Sequence, residues 1–297
     1  MKADLPPIAL EGVAKRYGAV QAVDDVSFAL PQGARVALVG HNGAGKTTLM
    51  KLMLGHDPAE GVAELRRHIG WLPENVSFNP ALTGREVLRF FARLKGESRS
   101  AADAMLDRVG LGAAARRRVG TYSKGMRQRL GLAQALIGAP RALLLDEPTT
   151  GLDPEVRQGL YDTLAGLADG GTTVLLSSHA LEELEGRVER VIILDHGRLV
   201  AAGSMAELRG LARLPLRLRL TLAEPGAPPE WLVAAAELCR NDGQVLEFGC
   251  APEAKMALLR RAAGDGRIAD IELHAPTLDE LYAHFLRGHA RARGEGA

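Results

Sequence analysis

The chain has 297 residues, 46% hydrophobic and 25% charged, with a formal net charge of +1. That composition supplies one large core or two smaller ones, and the near-zero net charge gives no general reason to expect nucleic acid or an acidic membrane surface as the partner. The longest run free of Asp, Glu, Lys and Arg, residues 170–181, falls short of the ~18 residues that cross a bilayer, while Asp4, Pro6 and Pro7 replace the apolar core of a signal segment. Two cysteines, Cys239 and Cys250, are too few for a disulfide framework, so a soluble cytoplasmic protein is expected.

In chain order, residues 8–10 and 26–30 predict two strands flanking Lys15-Arg16-Tyr17-Gly18 and its polar turn. Tyr17 can pack beneath a loop or offer a stacking face to a base. Arg35-Val36-Ala37-Leu38-Val39 predicts a short buried strand. Gly40-His41-Asn42-Gly43-Ala44-Gly45-Lys46-Thr47-Thr48 then meets every fixed position of the phosphate-loop pattern G-x-x-x-x-G-K-[ST]. The glycines let backbone N–H groups turn inward on phosphate oxygens, Lys46 adds a point charge for the β- and γ-phosphates, and Thr47 offers a hydroxyl to Mg²⁺. Residues 48–54, closed by Gly55, predict a helix whose N-terminus faces the anion.

Ile69-Gly70-Trp71-Leu72 predicts the next strand, followed by Pro73-Glu74-Asn75. The pattern from about 75 to 140 is helical: Thr83 and Glu86 form a capping pair, and Val87, Leu88, Phe90, Phe91 and Leu94 mark an apolar face. Ala142-Leu143-Leu144-Leu145 ends in Asp146 and Glu147, an improbable place to bury charge without a cation or a reaction. Asp146 is expected to face Mg²⁺, and Glu147 to polarise a water against the γ-phosphate. A strand over 172–178 ends at His179 by the same logic, residues 181–188 predict a helix, and residues 191–200 a hairpin. Together these elements form a P-loop α/β domain closing near residue 210.

The constellation resembles the ATP-binding subunits of ABC transporters over residues 5–210. Gly40 to Thr48 matches the family's Walker A loop, Ala142 to Glu147 its Walker B strand, Tyr122-Ser123-Lys124-Gly125-Met126 its signature, Gly151-Leu152-Asp153 its D-loop and His179 its switch histidine, with Tyr17 where the family stacks adenine. The resemblance implies a head-to-tail dimer, each ATP held between Walker A of one copy and Ser123, Lys124 and Gly125 of the other, with Asp153 close by. It implies ATP and Mg²⁺ as ligands, Thr47 and Asp146 on the metal, Glu147 activating water and His179 on the γ-phosphate. An integral membrane permease would be the partner, on the inner face of the cell membrane, with no role for nucleic acid. The usual signature, Leu-Ser-Gly-Gly-Gln, is altered at Lys124 and Met126, and the usual Q-loop glutamine is Glu74, whose carboxylate can still ligate Mg²⁺.

Beyond residue 211 the pattern changes to β-α-β-β-α-β plus a final helix: strands at 216–222, 236–240, 244–250 and 268–273, helices at 228–233, 252–263 and 277–286. This predicts a small α+β domain of ferredoxin-like type over 211–288, with 289–297 as a tail. A two-residue Asp242-Gly243 turn would set Cys239 opposite Leu246 and Cys250 ~13 Å further along, too far for a shared ion. Ala275-Pro276-Thr277-Leu278-Asp279-Glu280 resembles the closing segment of exporter-type subunits of the ABC-2 class. Across its length the chain most resembles the ATPase of the Nos system, which serves copper-site maturation of nitrous-oxide reductase and could bring a periplasmic accessory protein. That similarity includes residues 71–78 and 122–129. Exporters of drugs, lipids or polysaccharides are the alternative, and soluble ABC-type ATPases acting on nucleic acid a more distant one, since neither long coiled coils nor a second ATPase domain is present.

Overall fold

The computed structural model describes residues 7–55 and 68–294, which fall into two compact units, Met1–Ser204 and Met205–Ala297. In the first unit, β1 (Ile8–Tyr17) and β2 (Val20–Leu30) form an antiparallel hairpin. It is longer than expected: Lys15, Arg16 and Tyr17 belong to the strand, and the chain reverses only at Gly18, whose φ of +56° suits a residue without Cβ.

Six strands make the main sheet: β3 (Arg35–Val39), β4 (Ile69–Leu72), β5 (Ala142–Leu145), β6 (Thr173–Ser178), β7 (Arg190–Asp195) and β8 (Arg198–Ser204), in the order β4-β5-β6-β3-β7-β8. All neighbours are parallel except β7 and β8. Parallel strands covered on both faces call for unbroken apolar runs, and every position of β5 and β6 is buried. Val39 pairs with Ser178 and Leu145 with Leu176, so the loops leaving β3, β5 and β6 emerge together at the carboxyl end of the sheet, where α/β proteins bind their ligands. The helix α1 (Lys46–Met53) returns from β3 and buries Leu49, Met50, Leu52 and Met53.

Between β4 and β5 lie α2 (Gly84–Leu94), α3 (Arg99–Arg108) and α4 (Lys124–Leu136), the helical insertion predicted for 75–140. Thr83 and Glu86 cap α2 reciprocally, as their spacing requires. Its apolar face divides, however: Val87 and Leu88 are buried, while Phe90 and Leu94 are 57% and 67% exposed. After α5 (Pro154–Asp169) and β6, the helix expected over 181–188 shrinks to one 3-10 turn, Leu181–Glu183. The β7–β8 hairpin forms as predicted, through His196 and Gly197 with φ of +47° and +78°.

The second unit begins at Met205, before the expected boundary near 210. Its first helix, α6 (Met205–Ala212), packs on α9 (Leu278–Ala292), and Arg209 Nε donates to the Pro276 carbonyl at 2.9 Å. Between them come β9 (Leu216–Leu222), α7 (Glu230–Val233), β10 (Glu237–Asn241), β11 (Val245–Cys250), α8 (Lys255–Ala263) and β12 (Ile268–His274). The antiparallel order β10-β11-β9-β12 is that of a ferredoxin-like sheet. The helix α9 runs on through residues 289–292 of the predicted 289–297 tail, of which 295–297 lie outside the described residues.

The cysteine register is corrected as well. Asn241 pairs with Leu246, and Cys239 is the extra residue of a bulge between the Leu238–Phe248 and Arg240–Glu247 pairs. Cys250 faces the buried side and Cys239 solvent, and both are free thiols.

Candidate functional site

The phosphate loop is shaped by close approaches that only glycine permits. A Cβ on Gly40 would lie 2.6 Å from the Leu194 carbonyl oxygen, and one on Gly45, where φ is +101°, would lie 2.4 Å from that of Ala22. Gly43, at φ +89°, turns the chain between them. Lys46 is buried, its Nζ donating to the carbonyl oxygens of Gly40 at 2.6 Å and His41 at 3.3 Å. Burial lowers its pKa below the usual lysine value, and the carboxylates of Glu147, Asp146 and Glu74 oppose that shift.

The Thr47 hydroxyl donates to Asp146 Oδ2 at 2.9 Å, and the Ser177 hydroxyl to Asp146 Oδ1 at 2.7 Å. The backbone N–H of Glu147 donates to the same Ser177 oxygen at 2.8 Å. Ser177 has no role in the sequence reading, although a buried hydroxyl at the carboxyl end of a strand signals a partner. It is completely buried and ties the last residue of one strand's turn to its neighbour. A hydroxyl and a carboxylate in direct contact, with Glu74 on the same cleft, make an all-oxygen donor set of the kind that suits Mg²⁺.

Glu147 has a left-handed φ of +47°, a strained conformation for a side chain of this size. The turn aims its carboxylate at His179, whose Nδ1 lies 2.8 Å from Oε2, and Thr150 Oγ1 approaches the same oxygen at 3.5 Å. A cleft of about 250 Å³ lies over Lys46, Thr47, Asp146 and Glu147, with His179 outside its lining. Asn42, Gly43, Gly45, Lys46, Thr47, Thr48, Glu74, Asp146 and Glu147 line it, together with His41 and residues 20–22 of the β1–β2 hairpin. Its volume is below the ~300–1,000 Å³ typical of pockets that enclose a whole ligand.

Gly40 and Ala44 lie beneath this surface, Ala44 N donating to the His41 carbonyl at 3.1 Å. Tyr17 is not among the lining residues; it stands half exposed with Lys15 Nζ 5.1 Å from its ring centre. Ser123, Lys124, Gly125 and Asp153 are likewise absent from the lining. Ser123 caps α4, accepting from Met126 N at 3.2 Å. A Cβ on Gly125 would press on Val156 at 2.9 Å, and Lys124 covers Gly151. Asp153 begins α5 as its N-cap residue. The signature and D-loop are thus packed on each other, apart from the phosphate loop.

The ABC transporter family profile matches residues 23–150. The chain is 36% identical to the daunorubicin resistance ATP-binding protein DrrA3 of Streptomyces coeruleorubidus, across 98% of each chain. A solved ATP-binding subunit of an ABC transporter superposes with a TM-score of 0.62 at 28% identity, covering 68% of this chain and 92% of the other. The dimeric structure of a post-hydrolysis ATP-binding cassette bound to ADP and Pi superposes with a TM-score of 0.60 at 23% identity, covering 66% and 98%.

Proposed function

The chain belongs to the ATP-hydrolysing, ATP-binding subunits of ABC transporters, and from that premise we propose that two copies close head to tail on ATP to drive an export permease. The observation that carries this reading is the division of the site. The phosphate loop, Asp146 and Glu147 share one cleft, whereas Ser123, Lys124 and Gly125 stand elsewhere on the same unit. A second copy would bring its signature to the open side of the first copy's cleft. The dimeric form of the cassette bound to ADP and Pi supports the arrangement.

Within each site, Lys46 and the loop N–H groups hold the phosphates, while Thr47 and Asp146, with Glu74 at the rim, would hold Mg²⁺. When bound, that ion supplies positive charge to the β- and γ-phosphate oxygens. Glu147 takes the proton of the attacking water, and His179, hydrogen-bonded to it, fixes the orientation of the carboxylate. In the closed dimer, His179 would also reach the γ-phosphate.

Phe90 and Leu94, one helical turn apart on α2 and both exposed, offer the permease an apolar contact on the helical insertion. Such docking places the subunit peripherally, on the inner face of the cell membrane. No helix of the described residues is long and apolar enough to cross it. Drug export stands first as the transported class, because the full-length relative is named for daunorubicin resistance. Copper-site maturation and a periplasmic accessory protein rest on the Nos resemblance alone and stand second. Co-purification tests the assignment: a complex with an integral membrane protein that stimulates ATP turnover supports it, whereas turnover stimulated by DNA or RNA without membrane protein overturns it.

A further inference from the structure

One residue of the phosphate loop has no part in the chemistry above. His41 Nδ1 lies 2.7 Å from the Asn42 carbonyl oxygen, an acceptor that carries no proton. The ring must therefore donate there, which in a neutral imidazole leaves Nε2 with a bare lone pair. That lone pair points at the buried carboxylate of Asp195, 2.9 Å from Oδ1. Two electron-rich atoms at this separation repel unless a positive charge joins them, and either a second proton or a metal ion can do so.

The surroundings favour the ion. His196 Nδ1 approaches the same Asp195 oxygen at 2.9 Å, and the three donor atoms all lie within 4.8 Å of one another. His196 reaches that position from the first residue of the β7–β8 turn at φ +47°, a left-handed site where glycine or asparagine is the usual choice. Donation from one imidazole nitrogen to a backbone carbonyl, as His41 Nδ1 makes to Asn42, fixes the tautomer that leaves the other nitrogen free to bind a metal ion.

We propose that His41, Asp195 and His196 form a site for a divalent transition-metal ion of the Zn²⁺ type, clamping the phosphate loop to the β7–β8 turn. Two imidazoles and a carboxylate suit Zn²⁺, with water in the fourth position, and do not suit Mg²⁺, which prefers oxygen donors throughout. The clamp reinforces a tie already present, since Gly197 N donates to the Ala44 carbonyl at 2.9 Å.

The test uses the tag-free full chain, stripped by chelator and kept in excess Mg²⁺ without nucleotide. It is titrated with ZnCl₂ by calorimetry and with CoCl₂ by visible absorption. One ion per chain is expected, with the d–d bands of a low-coordinate cobalt site and a zinc-dependent rise in Tm. His196→Gln, a change at an exposed turn, should weaken binding by ~10-fold or more and abolish the Tm rise. A wild-type chain that takes up no stoichiometric ion, or a His196→Gln chain with unchanged affinity, overturns the proposal. Since neither nucleotide nor membrane partner is present, failure here leaves the transporter reading intact.

Discussion

The two sheets of this protein are built by opposite rules. Strands β5 and β6 of the first unit are buried at every position, whereas β9 and β11 of the second alternate between buried residues and partly or fully exposed ones. Parallel strands sheathed on both faces leave polar groups only at their ends, and the chemistry gathers there. An antiparallel sheet with one open face spreads its charges along the strands instead, and in the second unit Arg219–Glu272 and His274–Glu272 are such pairs. The first arrangement concentrates carboxylates where a cation can meet them. The second pairs them off in solvent.

The largest effect that would separate the units is on catalysis. Glu147→Gln should reduce ATP turnover by ~10²–10⁴-fold while nucleotide binding persists, as measured by phosphate release and fluorescent-nucleotide titration; normal turnover would refute the role given to Glu147. Next comes packing. Phe248 is the largest fully buried side chain of the second core, and Phe248→Ala should cost ~3–5 kcal/mol. That loss should fall on the second unit in hydrogen exchange, with the phosphate-loop region unchanged.

Ser177→Ala sharpens the contrast from the other side. It leaves Asp146 Oδ1 and the Glu147 N–H without their shared hydroxyl partner, at ~1–3 kcal/mol of stability, and turnover should fall further than denaturant stability alone explains. The smallest effect is acid titration of the second unit. Hydrogen bonds from Arg267 and Trp231 hold the Asp265 carboxylate well below its usual pKa. A folded value below the unfolded one means that its stabilisation is complete above ~3.9 and is lost as pH falls from there towards the folded value. The Tm difference between wild type and Asp265→Asn should therefore be full at pH 6 and shrink steadily as pH falls below ~3.9; a constant difference would remove Asp265 from the acid response.

Legibility followed the length scale of each interaction. The phosphate loop, the paired carboxylates after β5, the Thr83–Glu86 cap and the β7–β8 hairpin depend on residues a few positions apart, and all appear where their spacing predicts. The exposed half of α2 did not, because periodicity marks an apolar stripe without saying whether this chain covers it. The displaced Cys239 register came from a bulge, whose cost and benefit depend on the partner strand.

By itself the sequence determined the chemistry available, since glycines that admit phosphate and acids at the end of an apolar run are properties of local composition and order. It also determined the family, through several motifs in a fixed succession. Only the tertiary structure decided which groups meet. Ser177 reaches Asp146 across 31 residues, and His41 reaches Asp195 across 154. Such pairings are set by strand order in the sheet, a non-local choice made by packing, and no spacing along the chain records them.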